Sequence, residues 1–127
     1  MKAVLDSSVV IDVLKDKFSL DAIFKRYEKV YLTTVGMGEL FYGAYHSSQI
    51  EAHLAECVQI QAEIPVLTIE NETSQAYGVI KQRLRSKGQM IPENDLWIAA
   101  IALTAGATII TKDKHFERID ELLVHLV

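Results

Sequence analysis

Three carboxylates in this chain, Asp6, Asp95 and Asp113, stand where the secondary structure changes, and a fourth, Glu39, lies within a helix. Asp6 follows the apolar Val4-Leu5 and precedes Ser7-Ser8-Val9-Val10-Ile11, a pattern that predicts a short buried strand passing directly into a helix. Glu39 lies in the helix after a second β-prone run, Asp95 opens the helix before a fourth strand, and Asp113 follows that strand. Each has an ordinary structural reading: Asp6 as a helix N-cap, Glu39 as a helix-surface residue, Asp95 as an acid at a helix N-terminus, Asp113 as a turn residue. Their joint placement is harder to explain that way. In an open α/β sheet, ligands bind beyond the carboxyl ends of the strands, and a parallel arrangement would bring these distant acids together at that edge.

Converging carboxylates repel, and partial removal from water makes it costlier to keep all of them ionised. A cation relieves both effects. Oxygen-only ligation, without paired histidines or cysteines, points to magnesium or manganese rather than zinc. Such ions lower the pKa of a bound water and stabilise charge developing on a phosphodiester, so hydrolysis of a nucleic-acid backbone is the chemistry this constellation best serves.

The elements that must position these acids follow from periodicity and punctuation. Lys2 to Leu5 reads as the first strand, Ser7 to about Leu14 as a helix, about Leu20 to Lys29 as a second helix, and Val30 to Thr33 as a strand. Thr34 is the expected cap of a helix from about Val35 to Tyr45, and Ser47 or Ser48 of the next, about Gln49 to Glu63, which Pro65 ends. Val66 to Ile69 is a third strand, and a long helix runs from Asn71 to about Lys87, stopping at Gly88. Pro92 suits the first turn of a helix whose body is Asp95 to Leu103, with Ala99, Ala102 and Ala105 forming a small face, and Gly106 terminates it. Ala107 to Ile110, a short helical turn about Phe116, and Leu122 to Leu126 complete the chain. Alternating strands and helices predict an α/β fold: a mainly parallel twisted sheet of about four to five strands with helices on both faces.

The chain has 127 residues, 50% of them hydrophobic, which fits one domain spanning residues 1–127 with a real core. No apolar run approaches the roughly 18 residues needed to span a bilayer, and no export signal is evident, so a soluble cytoplasmic protein without membrane contact is expected. The single cysteine, Cys57, fits a reducing compartment and reads as a buried structural thiol. A net charge of −4 argues against coating nucleic acid by bulk electrostatics. Basic residues do cluster at Lys81, Arg83, Arg85 and Lys87 and at Lys112, Lys114 and Arg118, where solvated faces are the default reading and phosphate contacts the alternative.

Leu5-Asp6-Ser7-Ser8-Val9-Val10-Ile11, Glu39-Leu40 with Gly43, Asp95-Leu96-Trp97-Ile98-Ala99-Ala100, and Ile110-Thr111-Lys112-Asp113 with Phe116 occur in that order over nearly the whole chain. In this the chain resembles PIN-domain proteins of the VapC toxin type. The resemblance implies a metal-dependent endoribonuclease, the toxin of a toxin–antitoxin pair, that acts on RNA, binds a cognate antitoxin protein and forms a homodimer. It implies Asp6, Glu39, Asp95 and Asp113 as the acidic site, with Asp6, Asp95 and Asp113 holding Mg²⁺ or Mn²⁺ and Ser7 and Thr111 as supporting hydroxyls. Many relatives carry a further acid just before the phenylalanine, where this chain has His115. His115 is read as a solvated loop residue, with a ligand or proton-donor role as the alternative.

Other prominent residues have plainer readings. Asp12 and Asp16, near the end of the first helix, read as solvated acids. Trp97 is expected in the core or at a dimer contact rather than stacked on a base. Phe41, Tyr42 and Tyr45 fit either core or a partner surface. Two other functional classes compete with the enzyme: a catalytically silent PIN-like module in an antitoxin-bound, DNA-binding autorepressor, which would not need four carboxylates, and a phospho-acceptor receiver domain. The receiver wants adjacent acids after strand one, where Asp6 is followed by Ser7 and Ser8.

Overall fold

The computed structural model describes all of residues 1–127. Its elements are β1 (Lys2–Leu5), α1 (Ser7–Leu14), α2 (Asp21–Arg26), β2 (Lys29–Thr33), α3 (Thr34–Tyr45), α4 (Ile50–Glu63), β3 (Val66–Leu67), α5 (Asn71–Lys87), α6 (Glu93–Ala105), β4 (Ala107–Thr111) and β5 (Val124–Leu126), with a 3-10 helix at Lys114–Arg118 between the last two strands. All five strands are parallel, in the order β3-β2-β1-β4-β5. From β1 the chain winds outward through β2 to β3, then returns to the other side of β1 to lay down β4 and β5. The direction of winding reverses between β1 and β4, which makes that gap the crevice where open α/β sheets take ligands.

Strand alternation divides the core into two layers. Leu5 and Ile110 face one side, where Val9, Val10, Ile23, Met37, Leu40, Cys57 and Ile60 from α1 to α4 cover them. Val4 and Ile109 face the other, under Ile80 and Leu84 of α5 and Leu96, Ile98 and Ala99 of α6. Helix α6 is buried around most of its circumference, and its leading apolar residues carry Asp95 in a fixed position beside the sheet. Phe116, fully buried in the second layer, anchors the 3-10 helix and with it the loop after β4.

Several boundaries differ from those expected. Helix α2 stops at Arg26 because Tyr27 takes an extended conformation and buries its ring, leaving Lys29 to begin β2. Thr33, not Thr34, caps α3, its hydroxyl accepting the Gly36 N–H at 2.9 Å. A Cβ at Gly36 would lie 3.1 Å from that hydroxyl, close enough that the cap would have to shift by a few tenths of an ångström. Neither Ser47 nor Ser48 caps α4; Gln49 takes that place without a side-chain bond, and the Ser47 hydroxyl donates to the Ala44 carbonyl. Strand β3 is two residues long rather than four, and Pro92 precedes α6 instead of lying in its first turn.

Candidate active site

The strand-to-helix junction after β1 fixes Asp6. Its backbone N–H donates to the Ile110 carbonyl at 2.9 Å, which continues the β1–β4 ladder one residue beyond the strand. The side chain is 2% exposed and both oxygens have partners. Oδ1 accepts the Ser7 N–H at 2.9 Å, and Oδ2 accepts the hydroxyls of Ser8 and Thr111, each at 2.8 Å. The capping reading of Asp6 therefore holds through Oδ1, while Oδ2 is tied to hydroxyls from α1 and β4 at the β1–β4 crevice. Thr111, fully buried at the end of β4, also accepts the Asp113 N–H at 3.0 Å, so one hydroxyl sets the positions of two acids.

Glu39 is partly buried on α3 and accepts the Ser7 hydroxyl at 3.2 Å, which links it to the residue after Asp6. Asp95, on the first turn of α6, has its Oδ2 2.8 Å from His115 Nε2. That nitrogen is buried and has no well-directed hydrogen-bond partner, its approach to Asp95 being close but misaligned. The solvated-loop reading of His115 is thus corrected: Phe116 pulls the 3-10 helix inward and carries the neighbouring imidazole into the cleft.

The acids feel one another. Desolvation by burial raises the Asp6 pKa above the usual carboxylate range, against the hydroxyls of Thr111 and Ser8, and the charge of Asp113 adds to the rise. Burial also raises Glu39, assisted by Asp95 and Asp6 and opposed by Ser7 and Asn94. Asp95 is pushed up to about 6, first by burial and then by Asp6, with Asp113 adding and His115 opposing. All four expected acids thus lie at one edge of the sheet, with Ser7 and Thr111 in the supporting places. The side chains nevertheless stand apart: no three Asp, Glu, His or Cys side chains are already arranged around one point as metal ligands. Ser8 and Asn94 were not anticipated, although a second hydroxyl two residues after a junction acid is a recognisable signal for a side chain that turns back onto it.

The PIN-domain family model matches residues 3–122. The chain is 30% identical over 125 residues to Ribonuclease VapC4 of Mycobacterium tuberculosis, covering 97% of this chain and 95% of that protein. It belongs to the VapC-type PIN-domain family. A Haemophilus influenzae relative, Ribonuclease VapC2, is 29% identical over 122 residues, 94% of this chain and 92% of that protein. Among solved structures, VapBC-1 from nontypeable Haemophilus influenzae superposes with a TM-score of 0.89 at 27% identity, covering 99% of this chain and 98% of that one.

In this VapC-family chain, most of the residues of the two basic clusters are engaged within the molecule. Lys81 pairs with Glu93, Arg83 with Glu121, Lys87 with Asp120, and the Arg118 guanidinium donates to the Met90 carbonyl. Asp12 is not simply solvated, because Lys112 reaches it at 2.8 Å from the loop after β4. Asp16 is exposed. Trp97 stacks on Tyr77 with ring centroids 3.9 Å apart, which joins α5 to α6. Phe41 packs against the first core layer, whereas Tyr42 and Tyr45 are largely exposed. Cys57 is buried as expected. No helix is long and apolar enough to cross a membrane.

Proposed function

We propose that this protein is a magnesium- or manganese-dependent endoribonuclease, the toxin half of a toxin–antitoxin pair, that hydrolyses phosphodiester bonds in RNA. The observation that carries the reading is the elevation of Asp6, Glu39 and Asp95 together, by burial and by one another's charge, at the crevice between β1 and β4. A fold gains nothing from collecting repelling acids there, and clustered perturbed groups are characteristic of functional sites. The donor set fits a hard divalent cation: Asp6, Asp95 and Asp113 would supply its oxygen ligands, and the buried Nε2 of His115, which lacks a well-directed hydrogen bond, lies against Asp95. The bound ion would supply positive charge for the phosphodiester and make a nearby water easier to deprotonate.

The chain's own groups then have distinct work. Ser8 and Thr111 hold Asp6 in one rotamer, and Thr111 also fixes the backbone of Asp113. Glu39, less buried and steadied by Ser7, is placed to accept a proton from the attacking water. The water oxygen bonds to phosphorus, one phosphorus–ribose oxygen bond breaks, and the departing oxygen takes up a proton.

The naming of relatives as ribonucleases and the VapBC complexes among similar folds support the RNA substrate and the antitoxin partner. A groove of about 300 Å³ between α1, α3 and α4, lined by Ile11, Leu14, Leu40 and Cys57 and reaching Glu39, has the apolar character an antitoxin segment would need. In this reading the protein works in the cytoplasm as a homodimer. Antitoxin-free protein incubated with RNA should cut it with Mg²⁺ or Mn²⁺ and stop with EDTA, and Asp6→Asn should lose at least a hundredfold in rate. Wild-type protein that never cleaves RNA, or cleavage indifferent to EDTA and to Asp6→Asn, would refute the proposal.

A further inference from the structure

Helix α3 contains two exposed glycines, Gly38 and Gly43, that neither its stability nor its packing accounts for. Gly38 is exposed within the helix, where glycine costs about 0.5–1 kcal/mol relative to alanine. A Cβ there would meet nothing within 4 Å, as is also true at Gly43 in the same helix and at Gly78 in α5, so the vacancy by itself points to no ligand. The bare backbone of Gly38 borders an open hollow of about 540 Å³, whose walls include Ser7, Thr34, Gly38, Glu39, Tyr42 and Asn94. That volume is within the range of small-ligand sites, roughly 300–1,000 Å³.

One side of the hollow is aromatic. Tyr42 is 70% exposed, and His46 lies parallel to it with centroids 5.7 Å apart and planes within 10°. Helical side chains lean toward the N-terminus, so His46 lies over the turn of Tyr42 and the Tyr42 ring over the turn of Gly38. The ring is thereby steadied on one side and left open beside bare backbone. The exposed Thr34 hydroxyl and the Asn94 amide add donors and acceptors of the kind that read base edges. Glu39 and Ser7 are shared between this hollow and the acidic cleft, so a nucleotide seated here would be continuous with the backbone at the acids.

We infer that the hollow between Gly38, Tyr42 and Asn94 seats one unpaired RNA nucleotide next to the phosphate to be cut, its base stacked on Tyr42, and that it sets the enzyme's base preference. Single-stranded bases are recognised by aromatic stacking together with edge hydrogen bonds. The inference rests on the ribonuclease reading. A duplex does not fit it, because paired bases offer no free face to Tyr42.

The test compares wild type with Gly38→Gln, which fills the hollow, Tyr42→Ala and Tyr42→Phe, on a single-stranded RNA library with Mg²⁺ or Mn²⁺ and on one defined oligonucleotide. Circular dichroism melts establish that each variant is folded. Gly38→Gln and Tyr42→Ala should raise KM at least tenfold with kcat within about threefold of wild type, and both should flatten the base preference beside the cut. Tyr42→Phe, which keeps the stacking face, should stay near wild type. Folded variants with wild-type KM and wild-type preference, or a loss confined to kcat, overturn the seat while leaving the nuclease reading intact. Unchanged KM with an altered sedimentation mass in Tyr42→Ala makes the face a protein contact and also overturns it. Wild-type protein that cuts no RNA removes the nuclease reading and the seat with it.

Discussion

Asp6 serves two structures with the two oxygens of a single carboxylate, and its partners differ in how replaceable they are. The Ser7 N–H belongs to the backbone, but the Thr111 hydroxyl can be deleted at nearly constant volume. Thr111→Val leaves a buried carboxylate short of a donor and frees the Asp113 N–H. It should cost about 1–3 kcal/mol in chemical denaturation, with Thr111→Ser restoring most of the loss. Full stability in Thr111→Val would mean that Asp6 does not depend on that hydroxyl. Asp95 gives a pH signature. With a folded pKa of about 6 against 3.8 for the unfolded chain, the native state holds the proton more tightly. Below about pH 4 both states are neutral and no penalty exists; between roughly pH 4 and 6 the penalty grows, and above that it is complete. Metal-free protein should therefore lose stability as pH rises through this window, by roughly 1–3 kcal/mol. Asp12, Glu93 and Asp120, whose pKa values are lowered, act in the opposite direction, so the measurement is the difference between wild type and Asp95→Asn. Parallel pH profiles for the two proteins would contradict the assignment.

At the scale of elements, the glycines of the chain divide by conformation. Gly88 and Gly106 end α5 and α6 with φ of 66° and 65°, the left-handed conformation that closes a helix. Gly106→Ala should destabilise by roughly 1 kcal/mol or more, whereas Gly38→Ala should stabilise by about 0.5–1 kcal/mol. Equal effects in thermal melts would defeat this division. Both terminators were legible in the sequence because glycine after an apolar periodic run has few other uses. The order of elements and the gathering of Asp6, Glu39, Asp95 and Asp113 were legible for a related reason, since alternating strands and helices allow few topologies. The cap of α3 was not: Thr33 and Thr34 are chemically alike, and only the backbone turn decides which hydroxyl faces Gly36. Nor was the place of His115, because a polar loop residue beside a core phenylalanine gives no local sign that Phe116 will draw it inward. The pairing of Lys112 with Asp12 spans a hundred positions and leaves no trace in local pattern.

For the molecule as a whole, the metal-free fold stores the mutual repulsion of its acids, and a divalent ion that binds only the folded state should release it. At ~100 times its dissociation constant, Mg²⁺ or Mn²⁺ should add roughly 2.7 kcal/mol. Asp6→Asn should be at least as stable as wild type in EDTA and should lose most of the gain from metal. A wild-type melting temperature unmoved by millimolar Mg²⁺ and Mn²⁺ would count against the proposed centre.

The internal pairing of Lys81, Arg83, Lys87 and Lys112 has a consequence for how the protein meets its substrate. A cation standing beside a carboxylate presents little net field to a polyanion, and the whole chain is negative besides. Uptake of RNA should then displace few counterions. If about two phosphates are neutralised, the logarithm of the binding constant should fall with that of salt concentration at a slope of only about −1.4. A slope steeper than about −4 would show that these cations leave their partners to track the strand. A shallow slope describes an enzyme indifferent to the great excess of RNA around it: it does not slide along every polyanion it touches, and its encounters are brief until a strand presents a base and a backbone that fit.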